Sequence, residues 1–160
     1  VGERLEKDMI AVRLTPDVKM IAVAAPDYLA HRGTPRSPAD LHGHACINWR
    51  LQVDGRAYRW EFEKKGQRIE IAAEGPLVTN DSDTGVDAAL QGLGIVYAFD
   101  RERVDAHLAQ GRLVQVLADW SITRPGLFLY YPNRRHQQPA LSAFIDCLLD
   151  RDLPVPGRRP

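Results

Sequence analysis

Two cysteines, Cys46 and Cys147, are all that 160 residues hold. That is too few for a disulfide framework, and it fits a cytoplasmic protein with reduced thiols. Charge of one sign is equally scarce: 21 Lys and Arg stand against 21 Asp and Glu, a formal net charge of zero. No basic surplus marks a nucleic-acid-binding face. A neutral chain with 44% apolar residues is not a disordered one either. No apolar run approaches the ~18 residues that a membrane helix requires, so no membrane role is expected. Val1-Gly2-Glu3-Arg4 lacks the cationic start and apolar stretch of a signal peptide. The sequence opens on Val, not Met, as a fragment or a processed chain would. What is present suits a globular protein with one core or two small lobes.

Two apolar periods alternate along the chain. Met9-Ile10-Ala11-Val12-Arg13-Leu14 predicts a strand, and Thr15-Pro16-Asp17 a turn. Residues 18–25 are apolar on both faces, as in a strand buried on both sides. Pro26 opens a short helix, and Ser37-Pro38-Ala39-Asp40 carries the N-cap, Pro and acid of a second helix start. Strands are predicted over 45–51, 58–63, 68–73 and 77–79, with Asp54-Gly55 and Lys65-Gly66 as hairpin turns. Val86, Ala89, Leu90 and Leu93 then recur at helical spacing until Gly92 and Gly94 stop the helix. Further strands are expected at 95–99, 113–117 and 127–131, and helices at 101–110 and from Pro139. The last helix carries Leu141, Phe144, Ile145 and Leu148 as its stripe. The order is that of an α/β protein with a mixed sheet. Residues 151–160, rich in Pro and Arg, are expected to be a disordered tail.

The motifs of catalysis do not assemble. His42-x-His44-x-Cys46 has no second ligand pair at zinc spacing, which favours turn and capping roles over metal. Asp81-Ser82-Asp83-Thr84-Gly85 misplaces the glycine and lacks the closing Glu of a calcium loop. It suits a helix start, where either a side-chain cap or a ligand carboxylate meets the free N–H groups. Gly92-x-Gly94 follows a helix and opens a strand, the reverse of a dinucleotide loop. There is no nucleophile elbow and no P-loop. The expectation is no enzyme, no metal and no cofactor. Cys147 is expected to serve packing.

The ordered pieces resemble a known family. Ile21-Ala22-Val23-Ala24-Ala25-Pro26-Asp27-Tyr28-Leu29 is followed by Thr34-Pro35-Arg36-Ser37-Pro38-Ala39-Asp40-Leu41, His44-Ala45-Cys46-Ile47 and Trp60-x-Phe62. Gly75-Pro76-Leu77-Val78-x-Asn80-Asp81, Ala88-Ala89-Leu90-x-Gly92-Leu93-Gly94-Ile95 and Gly111-x-Leu113-Val114-x-Val116-Leu117 come next. Tyr131-Pro132-x-Arg134-Arg135 and Ala143-Phe144-Ile145-Asp146 close the set. Together they resemble the effector-binding domain of LysR-type transcriptional regulators, over about residues 1–150.

The resemblance implies an α/β, type 2 periplasmic-binding-protein-like fold with two lobes of mixed sheet, the first lobe incomplete. Residues 1–25 and 130–150 would make that partial lobe, and 26–129 the whole second one. The crossings would fall near Ala24-Ala25 and Tyr131-Pro132. It also implies a small, anionic effector, a carboxylate, held between lobes, and a homodimer or higher oligomer. DNA would be met only through a winged helix-turn-helix that this sequence does not show. By position, effector contacts fall on Asn48 and Arg50, on Asn80 and Asp81, on Tyr97, Ala98 and Phe99, and on Tyr131. Asn48 and Arg50 alternate on one strand and so share a face. A guanidinium is a planar fork suited to a carboxylate, or else a solvated surface charge. The alternatives are a stand-alone solute-binding domain, or an interaction module whose strands 9–14 and 18–25 present open edges.

Overall fold

The structure is a computed structural model that describes residues 9–50, 55–99, 102–132 and 139–149. Ten strands and four α-helices run along these residues. In chain order they are β1 (Met9–Arg13), β2 (Val18–Ala24), α1 (Pro26–Arg32), β3 (Cys46–Trp49), β4 (Trp60–Lys64), β5 (Gln67–Ile71) and β6 (Leu77–Thr79). Then follow α2 (Ser82–Leu90), β7 (Ile95–Phe99), α3 (Glu102–Ala109), β8 (Val114–Val116), β9 (Ile122–Arg124), β10 (Phe128–Pro132) and α4 (Pro139–Leu149). Two 3-10 turns, Pro38–Gly43 and Ala118–Trp120, complete the list. The expected tail at 151–160 lies outside the described residues.

The chain forms two compact units. The larger one is Val18–Arg124. Its central sheet has the order β6-β3-β7-β2-β8, with β9 also pairing β2. β3 runs parallel to both β6 and β7, whereas β2 runs antiparallel to β7, β8 and β9. The mixed sheet expected from the alternation of periods is therefore present. β2 is buried on both faces from Met20 to Ala24, because adjacent residues point to opposite sides of a pleated strand. Met20, Ala22 and Ala24 enter one core with Tyr28, Leu41, Trp60, Phe62 and Tyr97. Ile21 and Val23 enter another with Ile47, Val86, Ala89, Val96 and Val104. The unit thus has three layers. The β4–β5 hairpin and the first 3-10 turn cover one face of the sheet, and α2 and α3 cover the other.

Local chemistry sets these elements. Pro26 sits at the first turn of α1, where a missing N–H costs nothing. Ser37 and Asp40 close a reciprocal capping box on the first 3-10 turn. Lys65 and Gly66, at φ 52° and 78°, supply the left-handed pair that a two-residue hairpin turn demands. At the entrance to β3 the sheet has no room for side chains. A Cβ on Gly75 would overlap the Cys46 backbone, and one on Gly94 the Ala45 carbonyl.

The smaller unit comprises 1–17 and 125–160, of which the described part is β1, β10 and α4. β1 and β10 pair antiparallel from Met9↔Pro132 to Arg13↔Phe128. Gly126 lies against the Thr15 and Pro16 carbonyls, where no Cβ fits. On α4 Ile145 is buried, while Phe144 and Leu148 are exposed, so only part of the expected stripe is covered among the described residues. Cys147 is exposed, so among the described residues it does not serve the packing expected of it.

Two expectations change. β2 belongs to the larger unit, not to a partial lobe 1–25, because its hydrogen bonds go to β7, β8 and β9. The chain therefore passes between units at Asp17–Val18 and Arg124–Pro125. For the same reason β2 has no open edge. The strand β9 and the turn before it went unpredicted, since three residues are too few to show a period.

Candidate functional site

In open α/β sheets, ligands bind outside the carboxyl ends of the parallel strands, where loops and helix starts converge. In the larger unit that end is formed by β3, β6 and β7. Arg50 leaves β3 beside the start of the α2 segment: its N–H donates to Thr79 O at 2.8 Å. Its side chain is exposed, bonded through Nη1 to Gly55 O at 3.3 Å. Among the described residues no carboxylate pairs with it. Asn80 and Asp81 follow Thr79 and are exposed.

Asp81 is the N-cap of α2. Its carboxylate accepts from Thr84 N at 2.9 Å and from Thr84 Oγ1 at 2.6 Å. These bonds from the Thr84 hydroxyl and N–H hold its pKa below the ordinary value. Of the two readings of this helix start, the side-chain cap is the one present: a permanent anion occupies the dipole's positive end. Phe99, half-buried, meets the Trp49 ring edge-on at 5.2 Å.

Three expected contacts face inward. Asn48 is 3% exposed. Its amide accepts from Trp60 Nε1 at 2.7 Å and donates to the Ala73 carbonyl. Both ends are committed to binding the hairpin layer to β3. Tyr97 is 1% exposed, stacked on Trp60 with centroids 5.2 Å apart, and its hydroxyl donates to the Glu61 carbonyl. Burial pushes that hydroxyl's pKa far up. Ala98 lies in the opposite core with Ile21 and Val104. All three are buried side chains that serve packing on one face of the sheet or the other. Arg50, Asn80, Asp81 and Phe99 stand on the rim at the strand ends. Tyr131 lies on β10 in the smaller unit, half-buried.

Of the residues weighed for other chemistry, His44 Nδ1 meets the Tyr28 hydroxyl at 3.2 Å, and that hydroxyl accepts the Ala45 N–H at 2.9 Å. His44 ends the 3-10 turn, in line with the turn role. Cys46 is fully buried, and burial raises its thiol pKa to about 12, which keeps it protonated and unreactive. Missed by sequence reasoning was a cluster on the hairpin: Glu61 with Tyr58, Arg68 and Arg124. Only the packing of β4 against β9 could have revealed it.

A mixed-sheet α/β body with a polar rim at the ends of its parallel strands defines a class of small-molecule binding domains. Comparison with known proteins gives the family. The model of the LysR substrate binding domain matches residues 1–152, and the chain belongs to that family. A putative transcriptional regulator of Pseudomonas aeruginosa is 46% identical over 148 residues, covering 92% of this chain and 48% of that protein. The regulator PgrR of Escherichia coli is 38% identical over 148 residues, covering 92% and 49%. The chain therefore spans about half the length of these relatives. Among solved structures, the regulatory domain of AphB from Vibrio vulnificus superposes with a TM-score of 0.76 at 27% identity, covering 92% of this chain and 71% of that one. The regulatory domain of CrgA from Neisseria meningitidis gives 0.67 at 26%, covering 94% and 71%. The periplasmic-binding-protein-like α/β fold expected from the sequence is thus the fold of this family. The chain is a regulatory, effector-binding domain of the LysR type, and its relatives are transcriptional regulators, not enzymes.

Proposed function

We propose that this domain senses a small anionic metabolite, a carboxylate, and that Arg50 receives the anion. The observation that carries this is the Arg50 guanidinium, exposed at the carboxyl end of the parallel strands and, among the described residues, bonded to a carbonyl at 3.3 Å. A planar fork at that position suits a carboxylate. Asp81 repels anions from the start of α2, so the acidic group sits towards Arg50. Asn80 supplies a neutral polar contact, and Phe99 an apolar one.

Calorimetric titration of a panel of small carboxylates tests this. At least one is expected to bind, and Arg50→Gln is expected to weaken it about tenfold or more, the worth of one charge-assisted pair. Binding indifferent to Arg50→Gln, or none across the panel, overturns the role of Arg50.

In the whole protein, a cytoplasmic homodimer or higher oligomer would read DNA through a separate winged helix-turn-helix. Effector binding would shift the populations of its two states by the difference in affinity between them. Light scattering and a reporter assay in the parent organism check the two halves of that proposal. A second reading draws on an Escherichia coli relative described as a putative LysR family substrate binding domain-containing protein. It is 39% identical over 103 residues, which cover 75% of its length. That supports a binding module without a DNA-reading head; the coding sequence upstream of Val1 distinguishes the two.

A further inference from the structure

Glu61 on β4 carries three donors on one carboxylate. Tyr58 Oη donates to Oε1 at 2.9 Å and Arg68 Nη2 to Oε2 at 2.5 Å, while Arg124 Nη2 reaches Oε1. Arg124 is also hydrogen-bonded to the Tyr58 hydroxyl. The Glu61 side chain is 14% exposed and that of Arg124 32%. Two guanidiniums thus share one carboxylate, and the cluster keeps a positive charge in excess. Glu63 stands opposite Arg68 across the hairpin but forms no ion pair with it among the described residues. Arg124 has five donors; Nη2 meets Glu61, and about a third of the side chain is exposed.

The place of this charge matters. Arg124 ends β9 opposite Val18, on the same side of β2 where Met20 pairs Ile122. Met20 is also the partner of Phe99, so Arg124 lies at the sheet end that bears Phe99 and Arg50. The layer is the same as well. Strand alternation puts Arg50 on the face of Asn48, which binds Trp60 of the hairpin, and Arg124 binds Glu61 of that hairpin. Tyr58 lies between them: its N–H donates to Trp49 O at 2.8 Å, and its hydroxyl joins Glu61. Asp81 belongs to α2, whose Val86 and Ala89 pack on the other face. Arg124 thus stands on the hairpin side of the sheet and Asp81 on the α2 side.

We propose that Arg124, positioned by Glu61 and Tyr58, is a second anion-binding group of this face, so that the effector carries two separated acidic groups, one for Arg50 and one for Arg124. This rests on the proposed role of Arg50. β9 lies three strand spacings from β3, roughly 14 Å between backbones, and two flexible arginine side chains shorten the span from both ends. A linear diacid fits such a span; a compact monoacid meets only one of the two groups.

The test is calorimetric titration of the full chain with glutarate, adipate and pimelate against pentanoate, hexanoate and heptanoate. One diacid is expected to bind at least about tenfold more tightly than its monoacid, the worth of a second charge-assisted pair. Arg124→Gln is expected to remove that ratio, whereas Arg50→Gln weakens both ligands. Tyr58→Phe, which frees Arg124 without removing its charge, lowers the ratio in part. Should Arg124→Gln melt early, Arg124→Lys carries the same test, because it keeps the charge and loses the fork: the ratio falls. A ratio near one in the parent, or a ratio that survives the Arg124 variants, overturns the inference. A ratio that depends on Arg124 alone, with no effect of Arg50→Gln, overturns the role of Arg50 instead.

Discussion

Replacing Asn48 by Leu strips partners from two groups at once, the Trp60 indole N–H and the Ala73 carbonyl. Both lie at the junction of β3 and the hairpin layer. An orphaned buried polar group costs about 1–3 kcal/mol, so Asn48→Leu is expected to lower unfolding free energy by about 2–4 kcal/mol, read from urea midpoints. Glu61 gives a second expectation. Burial alone would raise its pKa, but the hydrogen bonds and charges of Tyr58, Arg68 and Arg124 bring it below the ordinary value. A carboxylate with a depressed folded pKa adds stability above its unfolded value and loses it as pH falls through the folded one. The parent is therefore expected to lose stability between about pH 5 and pH 2 more steeply than Glu61→Gln. Asp40, Asp81 and Asp119 are also depressed and act equally in both chains, so the difference between the two melting profiles isolates Glu61. At this scale the alternation of Asn48 and Arg50 was legible, because pleating dictates it. That the first of them is sealed was not, because the hairpin covering it comes from residues more than ten positions away.

The elements owe their register to a few backbone positions. Gly94→Ala would drive a methyl group into the Ala45 carbonyl, and neither backbone can yield without parting β3 from β7. A loss of about 1–3 kcal/mol is expected, as for other forced insertions into a packed interior. Gly92→Ala meets no neighbour within 4 Å but must hold φ at 76°, so only the left-handed penalty of about 1–2 kcal/mol applies. Thermal melts of the two variants, with a Gly92→Asn control that relieves the second penalty, check this. The longer elements were readable in sequence, since α2 and β2 each show several turns of one period and carry their caps or turn residues with them. β8 and β9 have three residues apiece, and Leu117 between them takes φ 53°. No local pattern announces a bend made by a leucine in that conformation; the long-range pairing with β2 imposes it.

For the molecule, the consequential fact is that Val18 and Arg124 are partners on neighbouring strands. A body whose first and last residues adjoin has its own core and needs no outside segment to close it. The excised segment 18–124 is therefore expected to fold and to unfold cooperatively, monitored by near-ultraviolet dichroism of its three tryptophans. A molten signal from that segment would show that the smaller unit is required. The two-lobe organisation was legible from the family resemblance, but the boundary was not. The resemblance assigns residues 18–25 with 1–17 to the partial lobe, and their hydrogen-bond partners place them in the larger unit instead.

That same closure orders events during synthesis. Once Arg124 has left the ribosome, every partner within the larger body has been made, and it can fold at once. β1 is translated before all of it, yet its partner β10 comes only after it. The pairing of Met9–Arg13 with β10 must therefore wait while the intervening body is built, and chaperones that capture nascent extended segments have their opening in that interval.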